Sequence, residues 1–292
     1  MPLTLLVFAG FYAAARHAVR YADTLAQAVG GKLVLLHVKR ASLFDPYEVL
    51  SEDLRKAELN TQLDTAAALY RLADELPSHP TVEVALDLLP VVAQDQADQH
   101  QPALFVLPRP EPYFTDAAGL ARDCAELLRA GHHPLLVVPA HGPADQLPRR
   151  ILIAADAESF ALARHARPLR QLLALPEAEL FLAHVSDGVR DDADCAAALH
   201  AVQVSGLLDG LASPELRGYE CDNYEQGVLD AVRDTGADLL VVFARQRSYL
   251  GELFHHSITA QLLARSPVPV LVLPTAAAPV PAAAAHRTAA VV

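Results

Sequence analysis

With 292 residues, 52% of them hydrophobic and 20% charged, the chain has a globular composition and enough length for two cores, which excludes a disordered protein. A formal net charge of −12 and the absence of any basic run exclude the electrostatics that nucleic-acid binding requires. Three widely spaced cysteines, Cys124, Cys195 and Cys221, suit reduced thiols in a cytoplasm better than a disulfide framework or a zinc site.

From the N-terminus, LTLLVFAGFYAAA lacks the basic residues that precede an export signal, so Leu3–Ala9 reads as a strand. A helix over Ala13–Val29 ends at Gly30-Gly31, and Lys32–Val38 is the second strand. Ser51–Leu76 reads as a long helix closed by Pro77. Thr81–Leu88 alternates apolar and polar residues as a half-exposed strand does. A helix over Val91–His100, a strand over Ala103–Leu107, a helix over Thr115–Ala130 and a strand over Leu135–Val138 complete the first half. The AHGPADQLP segment (140–148) is a linker by composition. From Arg150 to Leu273 the pattern repeats, with helices expected over Ser159–Ala174, Asp194–Ala212, Tyr224–Thr235 and Ser257–Arg265. The Ala/Pro tail (276–292) is low in complexity and is expected to be disordered. No apolar run approaches the roughly 18 residues of a membrane span, which implies a soluble, cytoplasmic protein that does not engage membranes.

The halves echo one another in sequence. TLLVFAG (4–10) matches RILIAAD (150–156), AARHA (14–18) matches LARHA (162–166), and KLVLLHV (32–38) matches ELFLAHV (179–185), with His37 and His184 in register. PALFVLP (102–108) matches ADLLVVF (237–243), and HPLLVVP (133–139) matches VPVLVLP (268–274). Strands alternating with helices imply right-handed crossovers. The expected fold is therefore α/β: two tandem doubly wound domains, residues 1–140 and 149–275, each a five-stranded parallel sheet with helices on both faces. In such sheets a ligand sits beyond the carboxyl ends of the strands at the switch in strand order. This points to the residues just after the first, second and fourth strands of each half; Asp156 holds the first of these places in the second half and Gly10 in the first.

The stretch ADLLVVFARQRSYLGELFHHSITAQLLARSPVPVLVLP (237–274) resembles the C-terminal quarter of a universal stress protein domain. In nucleotide-binding members the loop reads G-x2-G-x9-G-(S/T), with glycines that wrap phosphates and a hydroxyl at a helix N-terminus. Here Phe243, Gln246 and His256 occupy the glycine positions and only Ser257 remains. The first-half loop, PRPEPYFTDAAGLARD, adds prolines together with Glu111 and Asp116, both unfavourable to phosphate. The resemblance implies an adenine-side contact for Asp156, an anion contact for Ser257 and a second hydroxyl at Thr259. Against these stand a turn cap at Asp156, a helix N-cap at Ser257 and a solvated position for Thr259. Arg245, Arg247, His255 and His256 form a local positive cluster. It is read either as an ordinary solvated loop or as contacts to a small anion in place of backbone amides. The adjacent pairs His132-His133 and His255-His256 cannot chelate one metal ion on a shared face. His37 and His184 fill a structural niche, and the cysteines read as packing residues. No Walker, GxSxG, HExxH or GxGxxG motif marks an enzyme.

A stress-response role exerted by binding, as regulator or adaptor of an unidentified protein partner, is the expectation, with no cofactor and ATP disfavoured. The alternatives are a nucleotide switch or weak ATPase in the second half, and small-anion binding at the Arg245–His256 loop. By the family's habit, LLVV (135–138) and VLVL (270–273) pair within the chain as an intramolecular pseudo-dimer, and a homodimer of the whole chain is a further expectation.

Overall fold

A computed structural model describes residues 2–39, 65–109, 117–187, 192–245 and 257–276. The first half contains β1 (Thr4–Phe8), α1 (Ala13–Ala28), β2 (Lys32–Lys39), α2 (residues 65–74), β3 (Thr81–Leu86), α3 (Leu89–Gln99), β4 (Ala103–Pro108), α4 (Ala117–Gly131) and β5 (Leu135–Val138). The second contains β6 (Arg150–Ala154), β7 (Ala161–Leu162), a 3-10 helix (Arg167–Leu172), β8 (Glu179–Ser186), α5 (Asp192–Val204), β9 (Glu215–Glu220), α6 (Tyr224–Thr235), β10 (Leu239–Ala244), α7 (Ile258–Arg265) and β11 (Val270–Ala276). None of the described helices is long and apolar enough to cross a membrane.

One sheet runs through both halves in the order β3-β2-β1-β4-β5-β11-β10-β6-β8-β9. Along this order every neighbour within a half is parallel, as suits continuous apolar runs such as LLVVFA covered on both faces. The halves meet where β11 pairs antiparallel with β5, Val270 opposite Val137 and Val272 opposite Leu135. Alternation splits each strand between two cores. Leu5, Val7, Ile151, Ile153, Val241 and Leu271 face one layer; Leu6, Phe105, Leu152, Leu240, Val242 and Val272 face the other. Each layer continues across the β5–β11 seam. Arg109, just past β4, also crosses it: its Nη1 donates to the carbonyl of Leu263 at 3.1 Å, near the C-terminus of α7, where a cation complements the helix dipole.

The helix expected over Ser159–Ala174 does not form. In an α-helix covering that span Pro168 would fall in the interior, removing one backbone bond and clashing with the preceding turn. Instead the chain extends as β7 antiparallel to the end of β11, Leu162 opposite Thr275, and only then coils into the short 3-10 helix, whose first turn tolerates the proline. LARHA therefore runs from the end of β7 into a turn, where its counterpart AARHA is part of α1. The helix expected over Asp194–Ala212 ends at Val204, and turns with positive φ at Gly206 (82°) and Gly210 (77°) follow. Residues 51–64 of the long helix and the tail beyond Ala276 lie outside the described residues.

Candidate functional site

The strand order switches between β6 and β10, and the carboxyl ends of β6, β8 and β10 open there into a cavity of about 850 Å³. Its deep wall comes from the sheet through Ala154, His184 and Val242, and its sides from the N-terminal turns of α6 and α7. Both helices are fixed at that end by capping. The Asn223 side chain accepts from the amide of Gln226 at 3.2 Å, and the Ser257 hydroxyl oxygen accepts from the amide of Ala260 at 3.2 Å. Gly227 lets α6 approach closely, because a Cβ there would lie 2.5 Å from a Val185 methyl.

Asp156 leaves β6 as the sequence places it, and its carboxylate is already engaged. It accepts from the amide of Glu158 at 3.1 Å, which closes a turn, and it pairs with the guanidinium of Arg245. Arg245 also donates to the carbonyl of Glu158 at 2.9 Å and lies 3.5 Å from its carboxylate. The guanidinium carbon sits 5.5 Å from the centre of the Phe160 ring, a cation–π distance. Phe160 packs on Phe243 with ring centres 4.4 Å apart. The residue at the first glycine position of the phosphate loop thus supports the aromatic on which Arg245 rests.

His184 carries the register noted in the sequence into the structure. Its Nδ1 donates to the carbonyl of Ala155 at 3.1 Å, and His37 makes the same bond to Ala9 at 3.2 Å in the first half. A carbonyl only accepts, so Nδ1 holds a proton in each ring; in the Nδ1–H tautomer Nε2 is an acceptor. Thr259 is 7% exposed and lines the cavity, so the expectation of a solvated position is corrected. The helical spacing of Thr259, Leu262 and Leu263 places all three on the buried face of α7. Tyr224 stands beside them. Burial pushes its phenol well above the ordinary value, Asp156 acts in the same direction and Arg245 opposes. Asp187, Asp194 and Asp222 form an acidic rim that sequence reasoning did not single out. Each follows or faces a strand end, and that is the signal that could have found them. Arg247, His255 and His256 lie outside the described residues.

The sequence model of the universal stress protein family matches residues 3–139 and 220–274. The chain belongs to this family. The unmatched stretch between those segments holds β7 and the 3-10 helix, where this universal stress protein departs from the architecture of its own first half. A universal stress protein from Archaeoglobus fulgidus DSM 4304 superposes over 93% of this chain and 96% of its own, with 15% identity and a TM-score of 0.64. A Pseudomonas aeruginosa UCBPP-PA14 protein named for the same family covers 94% of each chain at 17% identity, TM-score 0.56. At these identities the likeness is one of fold. No curated protein matches the sequence.

Proposed function

We propose that this universal stress protein works in a stress response by binding, as a regulator or adaptor, and that its second half does not hold ATP in the family's manner. The observation that carries this reading is the engagement of Asp156 by Arg245, backed by Phe160 and Phe243. A carboxylate committed to a neighbouring guanidinium is a poor partner for an adenine edge, and a Cβ at each former glycine obstructs close backbone approach to phosphates. Engagement of Arg245 by Asp156 and Glu158 also leaves it little capacity for a free anion. Calorimetric titration of nucleotide-free protein with Mg-ATP, AMP and inorganic phosphate tests the reading. Absence of heat at millimolar ligand is expected. Saturable ATP binding lost in Asp156→Ala and Ser257→Ala would make the second half a nucleotide sensor instead. Phosphate binding abolished by Arg245→Ala would make it an anion receptor.

A further inference from the structure

The cavity between β6, β8, β10 and the starts of α6 and α7 is flanked by two helix N-termini, which favour an anion, but its rim carries the carboxylates of Asp187, Asp194 and Asp222. We propose that it is a receptor for a small organic cation of the diamine class, a ligand with N–H donors at both ends of a short hydrocarbon chain. This rests on the reading that the cavity does not hold a nucleotide.

Two largely buried residues, His184 on the deep wall and Thr259 at the start of α7, point to a ligand. His184 is 8% exposed and lines the cavity; its Nδ1 is tied to the carbonyl of Ala155, and in the Nδ1–H tautomer its Nε2 is an acceptor. Thr259 is equally buried, lines the same space, and its hydroxyl meets no partner among the described residues. Both residues are more than nine-tenths buried, and the hydroxyl of Thr259 offers a ligand N–H an acceptor. At the mouth, Asp187, Asp194 and Asp222 make no ion pair among the described residues, while the charge of Asp156 is balanced by Arg245. Segment 188–191 contains one arginine and one aspartate and segment 246–256 one arginine, one glutamate and two histidines, so with the histidines neutral neither carries a formal net charge to offset this rim. Between floor and rim the walls are apolar, from Val242, Phe243 and Leu262. No group of three His, Cys, Asp or Glu among the described residues is disposed to chelate a metal ion, which favours an organic cation over a metal. Acceptors at the floor, carboxylates at the mouth and an apolar waist describe the complement of a diammonium chain.

The test is calorimetric titration of the full chain with 1,4-diaminobutane, against butane-1,4-diol as its neutral counterpart and succinate as its anionic one. Saturable binding of one diamine per chain, with no heat from diol or succinate, is expected. Thr259→Val, which keeps the side-chain shape, should weaken it about tenfold or more, as loss of a hydrogen bond to a charged group does. Asp187→Asn and Asp222→Asn, both on the exposed rim, should each weaken it about 1.5- to 5-fold. An unchanged melting temperature in these variants confirms that the fold is intact. Non-saturable heat, or affinity unchanged in all three variants, would reduce the effect to counterion exchange on an acidic surface and overturn the proposal. Failure of the diamine with no heat from Mg-ATP overturns this inference alone. Displacement of bound diamine by Mg-ATP overturns the reading on which it rests.

Discussion

After β1 the chain passes a short turn, leaving Phe11 44% exposed, and enters α1; after β6 it doubles back, buries Phe160 to 3% and runs on as β7. The two segments share ARHA and start from matching strands, yet one is helix and the other is not. The difference teaches that the same local letters serve whichever backbone their context permits. Pro168 forbids a long helix, and Phe243 supplies a partner for the displaced aromatic. In the second half the space above the strand ends is organised by Phe160, Phe243 and Arg245, which have no matching cluster among the described residues of the first.

The comparison is most exposed to a pair of truncations. Phe160→Ala should destabilise the protein by about 3–5 kcal/mol in urea unfolding, as removal of a buried aromatic does, whereas Phe11→Ala should stay within about 0.5 kcal/mol. Equal losses would mean that the strand ends of the halves are packed alike. A second asymmetry lies at the seam, where His133, 2% exposed, sits 5.2 Å from the Phe105 ring and 5.7 Å from His165. Burial, aided by His165 and His132 and opposed by Asp98, lowers its pKa to about 4. The unfolded chain then binds more protons than the folded one between about pH 6.5 and 4, so stability falls as pH falls through that window. The loss should approach about 3 kcal/mol, and His133→Leu should flatten that part of the stability–pH curve.

A smaller effect is expected of Arg245→Ala, about 1.5–3 kcal/mol from its charged hydrogen bonds to Asp156 and Glu158. A double-mutant cycle with Asp156→Asn should recover most of it as coupling; additivity would show the pair to be incidental. Smallest are the features the halves share. His37→Ala and His184→Ala should each cost about 1 kcal/mol through the bond to the carbonyl after the first strand, and unequal values would break the equivalence.

Much of this was legible in the sequence, for definable reasons. Each apolar run had the length of a strand and neighbours of helical period. α6 was readable to the residue because Asn223 caps its start and Gly236, at φ 60°, closes its end. The places of Asp156 at a strand end and Ser257 at a helix start were legible because such a position is a local property. What escaped was non-local. The bond from Arg245 to Asp156 joins residues far apart in the chain, and the acidic rim assembles from the ends of β8 and β9 and the start of α5. The error over Ser159–Ala174 was avoidable, since Pro168 stood inside the proposed helix. So was that over Thr259, which shares the helical spacing of Leu262 and Leu263.

The antiparallel joint between β5 and β11 has a thermodynamic corollary. Because both strands belong to one polypeptide, their encounter is intramolecular, with an effective local concentration set by the chain and independent of dilution. Closing the joint is a first-order event, so the contact between the halves persists at concentrations where two separate subunits would part company.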